Sequence, residues 1–447
     1  MLQSLAFGLE KDAIFKLASQ GDAKAQFEIG SRYYDGIGTP PNYGLAFEWF
    51  EKAANQNHAE ALFRLGAMYF SGQGIAQNTK LAIELFQKAA KQEDCTAQFL
   101  LATFYEEGNF FPKDLEKAIE LYEIAAKKGH KGSQFRLGVV FCSGENGLEK
   151  IKEGIEWLEK AANQDVLEAS FLLGLHYELE EKFVIAKKWY MKAAEQGHLQ
   201  SQRTLGAFFQ QGLDGEKDLN KAFFWFEKAA KIGDAESQFC LGNMYYDGNG
   251  CKQDYQKAFE WYKKAALQNH PDSQFLLGNQ YKMGIGVNKD LSQALYWLKE
   301  AADKGNANYQ FVFALTLFDL KLFNQSLGWF EKAANQGHSK AQFRLGYIFE
   351  NGYGNNKNLE KAKFWYEKAA CQGNSDAAFM LGTVNFLGSE TPKNYVQAYI
   401  WFSIAANLGN KDAIESRDRA ATKITADQLK KAKEITDKLI AGISPKN

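Results

Sequence analysis

Residues 341–370 read AQFRLGYIFENGYGNNKNLEKAKFWYEKAA. The apolar side chains of the first half recur at a period near 3.6 residues, at Ala341, Phe343, Leu345 and Phe349. Those of the second half follow the same spacing, at Ala362, Trp365, Tyr366 and Ala369. This spacing predicts two amphipathic helices. Gly352 lies between them and ends the first helix, because glycine adopts the left-handed conformation at little cost.

The same helix–loop–helix motif recurs along the chain, in most cases every 36 residues. Its anchor is the glycine of a Leu-Gly step, found at Gly30, Gly66, Gly138, Gly174, Gly206, Gly242, Gly278, Gly346 and Gly382, with Ala102 and Ala314 in the same register. The second alanine of an Ala-Ala pair marks the second helix, at Ala54, Ala90, Ala126, Ala162, Ala194, Ala230, Ala266, Ala302, Ala334, Ala370 and Ala406. A period of this length predicts a stacked array of about eleven helical repeats rather than separate domains.

Two copies of the motif are four residues shorter. The interval is 32 residues from Gly174 to Gly206 and again from Ala314 to Gly346, while the spacing from each alanine pair to the next anchor stays at 12. The missing residues therefore belong to the loop inside the repeat, which tolerates a deletion better than a packed helix does. We expect the shortened repeats to divide the scaffold into three segments, 1–162, 163–302 and 303–447.

The two ends of the chain depart from the motif, as the ends of a stacked array must. Residues 1–20 form a predicted N-terminal half-repeat, in which Ala18 precedes the first anchor by the usual 12 residues. The eleven repeats occupy residues 21–410. The segment 411–447 is predicted to form polar capping helices, the second of which begins with a capping box at Thr425.

The two patterns L-G-x-x-Y-x-x-G-x-G and A-x-x-W-[FY]-x-K-A-A, repeated in this register over residues 4–410, resemble the Sel-1-like repeat family, a relative of the tetratricopeptide repeats. The resemblance implies an all-α fold, a right-handed superhelical solenoid of antiparallel α/α pairs. It also implies an adaptor that holds other proteins on a concave face lined by first helices. Many bacterial members act in signalling, envelope biology or host interaction. Some carry a disulfide in each repeat, a pattern from which this sequence departs.

Composition and charge exclude several classes of function. Lysine and arginine number 53 against 54 acidic residues, and the surplus of cations that a nucleic-acid partner requires is missing. No basic, apolar leader and no stretch of roughly 18 apolar residues is present, so we predict neither a secretory signal nor a membrane span. The cysteines are odd in number and lack a C-x-x-C spacing, at Cys95, Cys142, Cys240, Cys251 and Cys371. Free thiols of this kind favour a cytoplasmic location.

The aromatic residues and histidines belong to the repeat. All nine tryptophans share one register, at Trp49, Trp157, Trp189, Trp225, Trp261, Trp297, Trp329, Trp365 and Trp401. An aromatic ligand box is one interpretation, and core packing between helices is the favoured one. Five histidines lie eight residues before an anchor, at His58, His130, His198, His270 and His338. Aspartate or asparagine fills this slot elsewhere, so we predict helix N-caps rather than a metal or catalytic site.

No motif for catalysis or cofactor binding stands out. The Gly-x-Gly loops, such as residues 284–286, follow helices and lack the Gly-Lys-Ser/Thr of a phosphate loop. No G-x-S-x-G, H-E-x-x-H or paired-carboxylate pattern occurs. A one-base-per-repeat RNA code is disfavoured by the charge and by the variety of solvent-facing residues. We predict no enzyme activity, no cofactor, no metal and no small-molecule substrate.

Function is expected where the repeat varies. The position after each anchor lies off the packing stripe of the first helix, and amide side chains there suit hydrogen bonds to an extended peptide. The predicted protein-binding residues are Asn243, Asn279, Tyr347 and Thr383. Solvated side chains without a function are the alternative. Arginines two residues before the anchor are too scattered for one site, at Arg64, Arg136 and Arg344.

We therefore predict a non-enzymatic scaffold or adaptor that binds a protein or peptide partner on its concave face. The alternatives are a secreted or host-directed effector, or a hydrolase with a cleft on that face.

Overall fold

The computed structural model describes residues 13–144, 150–215, 217–354, 356–388 and 392–443. Over these ranges the fold is all-α, and no strand occurs. The chain forms two compact units, Met1–Glu216 and Lys217–Asn447. Each unit is a stack of antiparallel helix pairs, which confirms the α/α solenoid predicted from the repeat.

The first unit contains eleven helices of known bounds, preceded by helical residues 13–19. They are α1 Ala23–Asp35, α2 Tyr43–Ala54, α3 Ala59–Ser71, α4 Thr79–Lys91, α5 Cys95–Glu107, α6 Leu115–Lys127, α7 Lys131–Ser143, α8 Ile151–Ala162, α9 Leu167–Leu179, α10 Phe183–Glu195 and α11 Leu199–Gln211. Most of the predicted N-terminal half-repeat, residues 1–12, lies outside the described part of the chain.

The second unit begins with the second helix of the sixth repeat. Its helices are α12 Leu219–Ile232, α13 Ala235–Asp247, α14 Tyr255–Leu267, α15 Pro271–Met283, α16 Leu291–Ala302, α17 Ala307–Asp319, α18 Phe323–Asn335, α19 Ser339–Asn351, α20 Leu359–Ala370, α21 Ser375–Leu387, α22 Tyr395–Asn407, α23 Asp412–Ala421 and α24 Ala426–Gly442. The last two are the expected C-terminal pair. Thr425 and Gln428 form the predicted capping box at the start of α24.

The histidines cap helices as the sequence predicts. The ring of each accepts a hydrogen bond from the backbone N–H three residues later, at His58, His130, His198, His270 and His338. Each ring also lies against a phenylalanine of the preceding repeat, with centroids 4.6 to 5.1 Å apart. Burial lowers the pKa of His130, His198 and His338, which favours the neutral ring that a cap requires.

The anchor glycine lets the two helices of a repeat approach closely, as expected. A Cβ atom on Gly242 would lie 2.5 Å from the Tyr262 ring, and one on Gly346 would lie 2.4 Å from the Tyr366 ring. Both distances are shorter than real Cβ contacts, so any larger residue requires the second helix to move away. The aromatic ring therefore sits directly on the backbone of the first helix.

The tryptophan register is not the deepest layer of the core. Trp225, Trp297 and Trp401 are 5 to 8% exposed, and the other six tryptophans are only partly buried. The position directly after the tryptophan register is at most 3% exposed in every repeat: Phe50, Phe86, Tyr122, Leu158, Tyr190, Phe226, Tyr262, Leu298, Phe330, Tyr366 and Phe402. We call these residues the core column. The sequence predicts that the tryptophans form the core between the helices. In the structure the register directly after them is more deeply buried than the tryptophans.

The tryptophans instead pack between neighbouring repeats with one edge in solvent. Trp49 contacts Ala18 of the preceding half-repeat together with Ala25 and Ile29 from the first helix of its own repeat. A lysine three residues later covers the exposed face in several repeats, and the Nζ atom of Lys264 lies 3.7 Å from the centre of the Trp261 ring. This half-buried position with a cation above the ring explains why tryptophan, which is large and amphipathic, recurs there.

Glutamines link consecutive repeats through buried hydrogen bonds. The residue four before the anchor donates its Nε2 to a second-helix carbonyl of the preceding repeat at 3.0 to 3.4 Å, at Gln26, Gln98, Gln134, Gln202, Gln238, Gln274, Gln310 and Gln342. The Oε1 atom of five of them accepts a bond from a second glutamine 30 or 26 residues later. The pair Gln310 and Gln336 is one example, with 2.8 Å between Oε1 and Nε2.

We expect Lys304→Gln to raise the free energy of unfolding by about 1 kcal/mol, because a buried acceptor would gain a donor. Gln274 Oε1 is buried without a partner in the described structure, and Lys304 occupies the register of the second glutamine. Urea denaturation followed by circular dichroism measures the change. Lys263→Gln, which removes the same charge from an exposed position, is the control. An equal gain in both variants would show that charge, not the hydrogen bond, is responsible.

The two shortened repeats have tight turns between their helices. Helix α9 ends at Leu179 and α10 begins at Phe183, and the turn contains Glu181 at φ 58°. The turn from α17 to α18 repeats this with Lys321 at φ 63°. Both repeats keep complete helices, so the deletion is confined to the loop as predicted.

The division into units does not follow the three predicted segments. The boundary at Glu216 lies in the loop of the sixth repeat and not at residue 162 or 302. The three predicted segments therefore do not coincide with the two compact units, and the effect of the shortened loops on local curvature stays a prediction. A shortened loop leaves helix packing intact: in the shortened ninth repeat Gln336, directly after the second helix, still donates to Gln310 in the first helix, and the cap and stacking partner of His198 remain in place after the shortened fifth repeat.

Candidate binding surface

One stripe of each first helix is exposed or partly exposed in every repeat. It consists of the side chains six and two residues before the anchor and one and five residues after it, which we call the first-helix face. In α13 these are Glu236, Cys240, Asn243 and Asp247, all exposed or partly exposed, whereas the intervening Leu241 is buried. The spacing of four, three and four residues places them on one side of the helix. These positions vary in chemistry between repeats, unlike the buried leucine and glycine of the anchor step.

Asn243 lies on this face, but part of its side chain is engaged inside the repeat. Its Oδ1 accepts a hydrogen bond of 2.7 Å from the hydroxyl of Tyr262, a core-column residue that is 2% exposed. Asn279, one repeat later, is partly exposed, and among the described residues nothing hydrogen-bonds to its side chain. The two asparagines therefore differ in environment, although they occupy the same register of consecutive repeats.

Tyr347 and Thr383 also lie on the first-helix face. The Tyr347 ring stacks on Tyr353 with centroids 5.8 Å apart, and a hydrogen bond between the two hydroxyls raises the pKa of Tyr347. Thr383 donates its hydroxyl to the carbonyl of Phe379 one turn earlier, at 3.0 Å. Its methyl group is thus free to contact a ligand, and Thr383 lines a surface cavity.

This cavity, of about 260 Å³, lies between α21, α22 and α23 in the second unit. Its lining is largely apolar and consists of Phe379, Thr383, Phe386, Leu387, Phe402, Ser416 and Arg419. Phe402 from the core column forms part of it, with the Phe379 ring 5.5 Å away and the Phe386 ring 6.4 Å away. Of the four predicted binding residues, the structure brings only Thr383 to this cavity.

A set of buried tyrosine–acceptor pairs was missed from the sequence. Core-column tyrosines donate to a carboxylate four residues after the anchor, in Tyr122 to Glu106, Tyr190 to Glu178 and Tyr366 to Glu350, at 2.5 to 2.7 Å. Burial is the main cause that raises the pKa of these three tyrosines, so their hydroxyls stay protonated. The signal was present in the sequence, since glutamate occupies that register only where the core column holds tyrosine. These carboxylates hold the repeat together and are not candidate catalytic acids.

Other chemistry is sparse over the described ranges. No group of three or more histidine, cysteine or acidic side chains is arranged to hold a metal ion there. The five cysteines, all within the described ranges, form no disulfide. None of the helices in the described part is both long and apolar enough to cross a bilayer.

Comparison with known families identifies the repeat. The Sel1 repeat model matches eleven segments of the chain, at residues 23–58, 59–94, 96–130, 132–166, 167–198, 199–234, 235–270, 271–306, 321–338, 339–374 and 375–410. The chain belongs to the Sel1 repeat family. The matched segments begin where the first helices begin, and only the ninth match is reduced to the second helix of a shortened repeat.

A solved structure agrees with this assignment. The chain is similar to c5321, described as a protective antigen present in uropathogenic Escherichia coli strains and displaying an SLR fold. The identity is 31%, the match covers 97% of this chain and 94% of that one, and the TM-score is 0.80. A Sel1 repeat protein from Oxalobacter formigenes is 27% identical, with 75% and 89% coverage and a TM-score of 0.38. Among curated proteins no match is found.

Proposed function

We propose that this Sel1 repeat protein is a non-enzymatic scaffold that binds a partner protein or peptide on the first-helix face. The observation that carries the proposal is the contrast within each first helix. The buried registers one residue before the anchor and at the anchor itself keep leucine and glycine in most repeats, whereas the exposed registers of the first-helix face change from repeat to repeat. Two residues before the anchor, for example, the side chain is Arg64, Leu172 or Met380. Selection for packing alone gives no reason for an accessible, chemically varied stripe on a rigid support.

The chemistry of this face suits a polypeptide better than a small molecule. In the fifth repeat Leu175 and Leu179 are 36% and 85% exposed on the face. In the tenth repeat Arg344 and Tyr347 occupy the equivalent stripe. Apolar, aromatic and cationic side chains spread along a series of helices match the extended mixture of groups on a protein partner. Asn279, Tyr347 and Thr383 remain our proposed contacts, and Asn243 contributes its amide N–H groups.

Location outside the cytoplasm is the second candidate. The relative c5321 is described as a protective antigen, which favours a protein that meets the host. The free cysteines of this chain favour a reducing compartment, so we propose the cytoplasm for the scaffold. Fractionation of the native cell with an antibody against the chain separates the two.

Site-specific photo-crosslinking tests the binding face. A photoreactive phenylalanine placed at Leu276 or Met380, on the first-helix face, is expected to crosslink a second protein in the native cell. The same group at Lys228 or Lys368, on the outer side of second helices, is the control. Crosslinks that form only from the control positions, or equally from both sets, would contradict the proposal.

A further inference from the structure

The cavity between α21, α22 and α23 has the shape of a receptor for one side chain. Phe379, Phe386 and Phe402 supply aromatic surface, and Leu387, which is 55% exposed, closes one side. A volume of about 260 Å³ is smaller than a typical pocket for a drug-sized ligand, which begins near 300 Å³. The cavity suits an aromatic or long aliphatic side chain.

The cavity is open because of one small residue. Ser416 stands two residues before the position equivalent to an anchor, in the register that continues from the repeats into α23. The repeats place a larger side chain there: Glu28, Arg64, Leu100, Arg136, Leu172, Thr204, Cys240, Leu276, Val312, Arg344 and Met380. A longer side chain at 416 would point into the space next to Thr383 and Phe386.

The rim of the cavity is cationic. Arg419 lines the opening, is 69% exposed and donates one Nη2 hydrogen bond of 2.5 Å to Glu415 on the same helix. A guanidinium has five N–H donors, so this bond leaves donors that can face a ligand. On the first-helix face from the tenth repeat to the cap, the charged side chains are Lys340, Arg344, Asp376, Asp412, Arg419 and Lys423. Of these, Arg419 lines the cavity, and an acidic group on the partner complements it.

We propose that this cavity receives a large apolar side chain of a partner peptide, and that an acidic residue next to it pairs with Arg419. The inference rests on the proposed scaffold function and names the chemistry of one contact. The apolar side chain gives the peptide its register by filling the cavity. A peptide that is only apolar is disfavoured, because it lacks a carboxylate for the N–H donors of Arg419 that its bond to Glu415 leaves available.

Selection from a random peptide library tests the proposal with the full chain. A displayed library of twelve-residue peptides is selected on the unmodified protein and counter-selected on Ser416→Met, which copies the residue that Met380 supplies in the preceding repeat. We expect enriched peptides to share an aromatic or long aliphatic residue beside aspartate or glutamate. Enrichment of peptides without this pair, or no enrichment over the counter-selection, would overturn the proposal.

Fluorescence anisotropy with an enriched peptide then separates the two contacts. Binding is expected to weaken at least tenfold in Ser416→Met and about fivefold in Arg419→Gln. Arg417→Gln is the matched control, because Arg417 lies on the same helix but lines a different depression, and it should leave binding unchanged. Unaltered binding in both test variants would place the peptide elsewhere. Thermal unfolding of each variant shows that loss of binding does not reflect loss of fold.

Three further outcomes separate the peptide proposal from self-association and from the scaffold function. If the unmodified chain self-associates in sedimentation and the Ser416→Met variant does not, the occupant of the cavity is a second copy of the chain. The peptide proposal is then wrong. If the cavity variants lose peptide binding while photo-crosslinks from Leu276 persist, the scaffold function stands and this cavity is one of its contacts. If the cavity variants bind peptide normally while those crosslinks persist, only the cavity proposal fails.

Discussion

Phe330→Ala is expected to lower the free energy of unfolding by about 3–5 kcal/mol, the range for truncation of a buried phenylalanine. Phe330 is fully buried, and its ring centroid lies 5.9 Å from that of Phe311 and 6.3 Å from that of Phe318. Alanine would leave a cavity between the two helices of the ninth repeat. Ala314, in the anchor register of that repeat, is too small to fill it. Packed neighbours on both sides limit how far the repeat can collapse to fill the space.

Trp329→Ala, one residue earlier, is the matched comparison and is expected to cost only about 1–2 kcal/mol. Trp329 packs against Phe313 on one side, but it is partly exposed and covered by Lys332 on the other. Urea denaturation gives the two free energies, and amide exchange in α17 and α18 localises the loss, since repeat arrays unfold in parts. An equal loss of the free energy of unfolding in Trp329→Ala and Phe330→Ala would show that the tryptophan register contributes as much to the core as the core column.

The second prediction concerns the buried pair of Glu350 and Tyr366. Glu350→Phe is expected to destabilise the tenth repeat by about 1–3 kcal/mol, because the Tyr366 hydroxyl, on a fully buried side chain, loses its acceptor. Tyr366→Phe is expected to cost a similar amount, because the Glu350 carboxylate loses its donor. Burial and this hydrogen bond raise the pKa of Tyr366, so ionisation of the phenol provides no relief.

The double variant, Glu350→Phe with Tyr366→Phe, is expected to recover most of the lost stability. Three other repeats already contain two phenylalanines in these registers, with ring centroids 6.2 to 6.4 Å apart: Phe70 with Phe86, Phe318 with Phe330 and Phe386 with Phe402. A double-mutant cycle in urea should give a coupling energy of about 2 kcal/mol. Additive losses would show that the two residues act independently, against the hydrogen bond seen here.

Both predictions concern residues whose importance could be inferred only partly from the sequence. The core column repeats as regularly as the tryptophans, but it mixes phenylalanine, tyrosine and leucine. Nine of the eleven repeats have tryptophan in one register, so the sequence favours that register as the core. A half-buried tryptophan and a fully buried phenylalanine differ by one position, or about 100° around the helix. Periodicity identifies the apolar side of a helix but not its exact centre.

The candidate binding surface shows the same limit. The register after the anchor was correctly placed off the packing stripe, and Thr383 lies at a cavity. Asn243 and Asn279 were treated as equivalents, yet a tyrosine in the core column engages only the first. That difference depends on Tyr262 in one repeat and Leu298 in the next, and it exists only once the two helices are packed.

The sequence by itself determined the helix–loop–helix unit, its number, its caps and the location of the deletions. These properties follow from spacing along one chain and from local hydrogen bonds, as in the histidine caps and the turn at Glu181. Only the tertiary structure decided which aromatic residue meets the anchor glycine, where the compact units divide, and that Ser416 leaves a cavity beside Thr383. These features depend on how side chains from different helices pack into the same space, and those helices are far apart in the sequence.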